Sequence, residues 1–153
     1  MTVGHQNNAY KQSTFTKDIL IKEASIDWKN EFEEFNKRIE SLKDETLKKL
    51  IDLKKEGKRV VGLGASTKGN VLLQHYDITS EHIDCIGEVN INKYGCRTPG
   101  SNIPIVSEKE LLASNPDYLF VLPWHFKDFF LQSFKGSGVK LIFPLPKLEI
   151  IDL

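Results

Sequence analysis

The feature that most restricts the fold is a change of hydrophobic period at Gly57. Before it, apolar residues recur every three or four positions. After it, short continuous apolar runs alternate with helical stretches of about ten residues. The runs are "KRVVGLG" (58–64), "IDCIGEV" (83–89), "IPIV" (103–106), "DYLFVLP" (117–123) and "VKLIFPLP" (139–146). Between them lie helical patterns at 66–76, "SEKELLASN" (107–115) and "WHFKDFFLQSF" (124–134). Strands separated by helices pair in parallel through right-handed crossovers. Unbroken apolar strands such as "YLFVL" suit a sheet covered on both faces. The expected fold is α/β: a Rossmann-like three-layer αβα arrangement on a mostly parallel five-stranded sheet. Ser107, with Glu110 three residues on, is expected to cap its helix as a capping box.

Upstream, Trp28, Phe32, Phe35, Ile39 and Leu42 recur at alternating steps of four and three, and Leu50 and Leu53 resume the stripe after Thr46. Glu33, Glu34, Lys37, Arg38, Lys43 and Asp44 fill the other faces. This spacing predicts a long amphipathic helix over 27–56, about 45 Å in length, packed on its own domain rather than in a coiled-coil seam. Gly57 stops it, after Lys54 and Lys55 have placed positive charge near the negative end of the dipole. Ile19-Leu20-Ile21 fits a strand and a helix equally, and residues 1–16 are polar and without period. Three segments follow: an arm or linker over 1–26, the linker helix over 27–56, and a Rossmann-like domain over 57–153.

Several function classes drop out on composition. The 21 basic and 21 acidic residues among 153 cancel, which argues against a nucleic-acid or membrane-surface partner. No apolar run approaches the roughly 20 residues that cross a bilayer, and "MTVGHQNNAYKQSTF" has no apolar signal core. A cytoplasmic location is expected, with Cys85 and Cys96 as reduced thiols. No metal-ligand spacing, Ser/His/Asp arrangement or pair of acid–base carboxylates is visible, so neither a catalytic residue nor a metal site is assigned.

Four places carry candidate binding chemistry. The strand–turn–helix through Gly64, Ala65, Ser66, Thr67, Lys68, Gly69 and Asn70 brings backbone close to a ligand and offers unpaired N–H groups to an anion. Its pattern, G-x-G-x-x-x-K-G-N, matches neither the dinucleotide fingerprint nor the P-loop, and a glycine turn here also serves simply to pack helix on sheet. Glu88, 24 residues after Gly64, stands near the place where an acidic side chain takes ribose hydroxyls in dinucleotide folds; a plain strand-end carboxylate fits as well. The loop "NINKYGCRTPGSNIPI" (90–105) is long for a connection at a strand's carboxyl end, where ligands sit in such sheets. "LPWHF" (122–126) brings Trp124 and His125 to the same edge, as a stacking surface and a titratable group or as packing and a structural hydrogen bond. His75 and His82 read as surface residues, and Asp84 and Asp117 as partners of backbone at strand starts.

In order and spacing, "GKRVVGLGASTKGNVLL", "NINKYGCRTPGSNIPIV", "PDYLFVLPWHFKD" and "KLIFPLPKLEII" resemble the C-terminal domain of S-adenosylmethionine-dependent sugar-nucleotide C-methyltransferases. The resemblance covers about residues 57–150, and extends more loosely to the "EFEEFNKRIESLKDETLKKL" helix. It implies a domain that helps hold a sugar nucleotide across a cleft. The methyl donor, S-adenosylmethionine, is then bound by a methyltransferase domain of the same full-length protein, absent from this chain. By the same resemblance Lys68 and the 64–70 amides hold a phosphate or sugar hydroxyls, and Glu88 and Asn90 hold hydroxyl groups. The rim is formed by 93–100, with Lys93, Thr98, Pro99 and Gly100, and by Trp124 and His125.

Three departures from the family pattern allow a substrate other than its usual deoxysugar nucleotides. Glu88-Val89-Asn90 stands where an aspartate normally precedes x-N, His125 replaces an asparagine, and Phe129 or Phe130 replaces an acidic residue. Two other functional classes remain beside this one: a regulatory module binding a nucleotide, NAD or coenzyme A, and a docking domain without a ligand.

Overall fold

The computed structural model describes residues 13–153. Its elements run α1 Thr14–Ala24, α2 Trp28–Lys55, β1 Val60–Leu63, α3 Thr67–His75, β2 Ile86–Glu88, β3 Ile105–Ser107, α4 Glu108–Ala113, β4 Tyr118–Val121, α5 Lys127–Ser133, β5 Lys140–Phe143 and β6 Glu149–Asp152. The chain divides between Arg38 and Ile39 into two compact units.

In the first unit, residues 14–24 of the expected arm or linker form α1. Ser13 starts it by accepting a hydrogen bond from the Thr16 N–H at 3.2 Å, and Ile19-Leu20-Ile21 become part of the helix. The rest of the expected arm, 1–12, lies outside the described residues. Asp27 opens α2 by accepting from the Asn30 N–H. In the early part of its apolar stripe, Trp28, Phe32 and Phe35 are 48%, 61% and 50% exposed.

The second unit holds a six-stranded sheet in the order β3-β2-β1-β4-β5-β6. The five expected strands pair in parallel. A sixth corrects the expected count: β6 lies antiparallel to β5, with Phe143 opposite Glu149 and Lys140 opposite Asp152. This edge strand has only four residues, two of them charged, so it carries no continuous apolar run.

Alternation along each strand sends neighbouring side chains to opposite faces. Val60 packs with Leu50 and Leu53 of α2 and Leu72 and Leu73 of α3 on one face. Val61 and Leu63 pack with Leu111 of α4 and Phe130 of α5 on the other. Thr46 interrupts the α2 stripe without leaving a polar group unpaired, because its hydroxyl donates to the Leu42 carbonyl at 2.7 Å. The helix then ends in a Schellman motif. Gly57 adopts φ +73°, its N–H bonds the Lys54 carbonyl, and the Lys58 N–H bonds that of Leu53.

Two helix starts differ from expectation. Ser107 is both the last residue of β3, opposite Glu88 of β2, and the residue before α4, and its side chain makes no capping bond. The capping box with Glu110 is therefore not formed. Residues 124–126 form a 3-10 turn, and α5 proper begins only at Lys127. Of the two strand-start aspartates, Asp117 accepts from the Arg59 N–H at 2.8 Å. Asp84 instead meets the Arg59 side chain.

Candidate functional site

The strand order places β1 between β2 and β4, so the chain leaves β1 toward one edge and returns to its other side. A crevice opens outside the carboxyl ends of strands where the order reverses in this way. Here the crevice is entered by the 64–66 turn, the end of β2 and the segment after β4.

Gly64 of the turn and Gly69 of α3 are both required by close packing. Gly64 has φ +78°, and a Cβ there would stand 2.9 Å from the Pro123 ring. On Gly69 a Cβ would stand 2.6 Å from that of Leu122. Ser66 begins α3 in an extended conformation, and its hydroxyl accepts from the Gly69 N–H at 3.0 Å. Lys68 is exposed on the first turn of this helix. Asn70 holds a buried side-chain oxygen with no hydrogen-bond partner among the described residues.

At the end of β2, Glu88 is 7% exposed and heavily engaged. One oxygen accepts from the Val89 and Asn90 N–H groups at 2.9 and 3.1 Å. The other accepts from the Lys93 ammonium at 2.9 Å, and Lys93 also donates to the Ala65 carbonyl at 2.9 Å. Lys93 thus ties the loop after β2 to the turn after β1. Burial by itself would raise the Glu88 pKa. The Lys93 ammonium and the Asn90 and Val89 amides outweigh it and hold the carboxyl below its ordinary range. Glu108, on the first turn of α4, is driven the opposite way. Burial pushes its pKa up, and the negative charge of Glu88 adds to the shift.

These groups line one side of a cavity of about 540 Å³, together with Gly64, Ala65 and Ser66. Its other side is apolar, built from Pro123, Phe126, Phe129, Phe130, Phe134 and Leu112. Such a combination, mostly apolar with a few converging polar groups, is the usual form of a small-molecule site.

The structure therefore brings together five of the residues singled out from sequence: Gly64, Ala65, Ser66, Glu88 and Lys93. Thr67, Lys68, Gly69 and Asn70 belong to α3, on the opposite face of the sheet from α4 and α5. The Asn90 side chain accepts from the Asn92 N–H and caps a short 3-10 turn. Thr98 is buried, bonded to the Ser101 hydroxyl and to the Ile103 N–H. Next to it, Pro99 accepts from the Ser101 N–H, and Gly100 abuts Gln74 of α3. Trp124 packs against both apolar cores, and His125 is exposed beside the Phe126 ring.

Of the other histidines, His75 meets Glu40 at 3.6 Å. His82, expected at the surface, is half-buried. Its ring accepts from the Thr79 N–H, and burial lowers its pKa.

Sequence reasoning missed Glu108 and the phenylalanine wall. The available signal was four phenylalanines within 126–134, more than one short helix can bury. Phe126 and Phe129 remain 58% and 63% exposed.

These features define a class: a Rossmann-like α/β domain with a ligand-sized cavity at the carboxyl ends of its strands. No metal-binding group of side chains and no helix long and apolar enough to cross a membrane occur among the described residues. The family model for the C-terminal domain of C-methyltransferases matches residues 1–146. The chain is also similar to the C-methyltransferase NovU of Streptomyces niveus, with 32% identity over 100 residues, 63% of this chain and 24% of NovU. The chain belongs to the C-methyltransferase C-terminal domain family, and it spans about a quarter of the length of that curated relative.

Proposed function

We propose that this chain is the substrate-recognition domain of a C-methyltransferase, that its substrate is a sugar nucleotide, and that methyl transfer takes place on a separate domain of the full-length protein. The observation that carries this reading is the cavity at the ends of β1 and β2, with a phenylalanine wall facing a polar edge and the α3 N-terminus close by in sequence. A ring-bearing end of the substrate occupies the cavity. Its phosphates lie at the first turn of α3, where Lys68 and the Thr67 and Lys68 N–H groups supply positive charge. The unpartnered Asn70 oxygen is an acceptor for a substrate hydroxyl.

Family membership implies S-adenosylmethionine as methyl donor. The residues present do not fit that group. Gly64 and Gly69 are closed by Pro123 and Leu122 rather than opening a cradle, and Glu88, at the position of a ribose acceptor, is taken up by Lys93 and two amides. This supports a donor site outside these residues.

Two assays test the reading together. Incubated with S-adenosylmethionine and a keto-sugar nucleotide, the chain alone should transfer no methyl group. Lys68→Ala should weaken binding of the sugar nucleotide about tenfold. Methyl transfer by the chain alone, or binding indifferent to Lys68, contradicts it.

A further inference from the structure

The charges around the cavity restrict what it accepts. Two carboxylates and one ammonium line it: Glu88, Glu108 and Lys93. Lys93 is committed to Glu88 at 2.9 Å and to the Ala65 carbonyl. The Glu108 side chain makes no hydrogen bond and no ion pair within 4 Å among the described residues, and Glu108 and Leu112 are the α4 residues in the lining. The polar edge thus carries a net charge of one negative unit once Glu108 is ionised. A phosphate or carboxylate placed there meets repulsion and finds no free donor cation. A cation meets the opposite conditions, with a free carboxylate in a cavity otherwise lined largely by apolar phenylalanine side chains.

We propose that the cavity is a site for a primary ammonium group carried next to an apolar ring or chain, with Glu108 as its ion-pair partner and Phe126 and Phe129 covering the hydrocarbon. This rests on the substrate-recognition reading and deepens it: the part of the substrate that enters the cavity bears an amine, and its phosphates stay outside. Glu108 is the specificity-determining residue. It distinguishes an amine from a hydroxyl, because removing the carboxylate charge removes the one interaction that a neutral ligand does not make.

Glu108 faces Glu88 from β2 and Lys93 from the turn after it. Glu88 keeps its proton off to lower pH than Glu108 does. Amine binding therefore strengthens as pH rises through the Glu108 titration, with Glu88 already ionised.

The test uses the full 153-residue chain and three probes of similar shape, phenethylammonium, phenethyl alcohol and phenylacetate, followed by amide chemical-shift changes in NMR titrations. Phenethylammonium should shift the amides of 88–93, 108–112 and 126–134, and bind about tenfold more tightly than the alcohol. Phenylacetate should not register there. E108Q should bring the ammonium down to the affinity of the alcohol, and F129A should weaken both probes. Because Glu108 holds no partner, E108Q stays folded, and an unchanged NMR spectrum away from the cavity checks this. Equal binding of ammonium and alcohol, preferred binding of phenylacetate, or an E108Q variant that still prefers the ammonium overturns the proposal. Titration of dTDP-glucose and of a dTDP-amino sugar in parallel separates the two readings. If dTDP-glucose binds but the amine has no advantage, only the amine site fails. If neither dTDP-glucose nor a dTDP-amino sugar binds, the sugar-nucleotide reading fails whatever phenethylammonium does.

Discussion

The two faces of the sheet are built from the same strands and solve different problems. On the α2–α3 face, Leu50, Leu53, Leu73, Ile78 and Ile83 are almost wholly removed from solvent, and Gly69 lets α3 press against Leu122. On the α4–α5 face the helices are short, six and seven residues, and beside them the strand ends leave a cavity lined by phenylalanines that are only partly covered. One face supplies stability, and the other gives up some burial to keep a binding surface. Substitutions should therefore separate into those that unfold the domain and those that alter only the cavity.

The largest effect should come from the closed face. Leu53→Ala, in a fully buried position, should cost about 2–5 kcal/mol in urea unfolding. An equal loss from Phe129→Ala, on the cavity face, would break the contrast. Gly69→Ala should cost about 1–3 kcal/mol, because its methyl group must displace Leu122.

At the cavity edge, Lys93→Met strips the nearly buried Glu88 of its partner. Lys93 is itself 41% exposed, so after screening the cost is on the order of 1 kcal/mol at neutral pH. The sign with pH is definite. The folded-state pKa of Glu88 is lowered, so its contribution is present above the unfolded value, about 4.3, and is lost as pH falls through the folded one. Acid unfolding of Lys93→Met should accordingly begin at higher pH than in the parent, measured by circular dichroism.

The smallest effect belongs to Glu108. Its folded pKa is raised, so the protonated form favours folding, and that advantage fades as pH rises through the folded pKa. Glu108→Gln should then gain roughly a few tenths of a kcal/mol at neutral pH, and a loss would contradict the assigned environment.

Much of this architecture was legible because period and burial coincide. The five parallel strands are unbroken apolar runs, α2 carries a long stripe, and Ser66 and Gly57 mark helix ends by their own chemistry. β6 escaped because "EIID" is a short edge strand with charges at both ends. The candidate site was legible only in part. Glycine and acidic positions after β1 and β2 can be read from spacing, and these residues do meet. Which face of the sheet each neighbouring helix covers depends on tertiary packing, and that is what separates Lys68 and Asn70 from Glu88 and Lys93. Glu108 sits one residue past a strand and reads as a helix-start charge. Only the fold sets it opposite Glu88.

Calorimetric titration of the full chain with dTDP-glucose, S-adenosylmethionine, NAD and coenzyme A tests the central claim most directly. Saturable heat with dTDP-glucose alone is the predicted result. Binding of S-adenosylmethionine or NAD with no response to dTDP-glucose would contradict it.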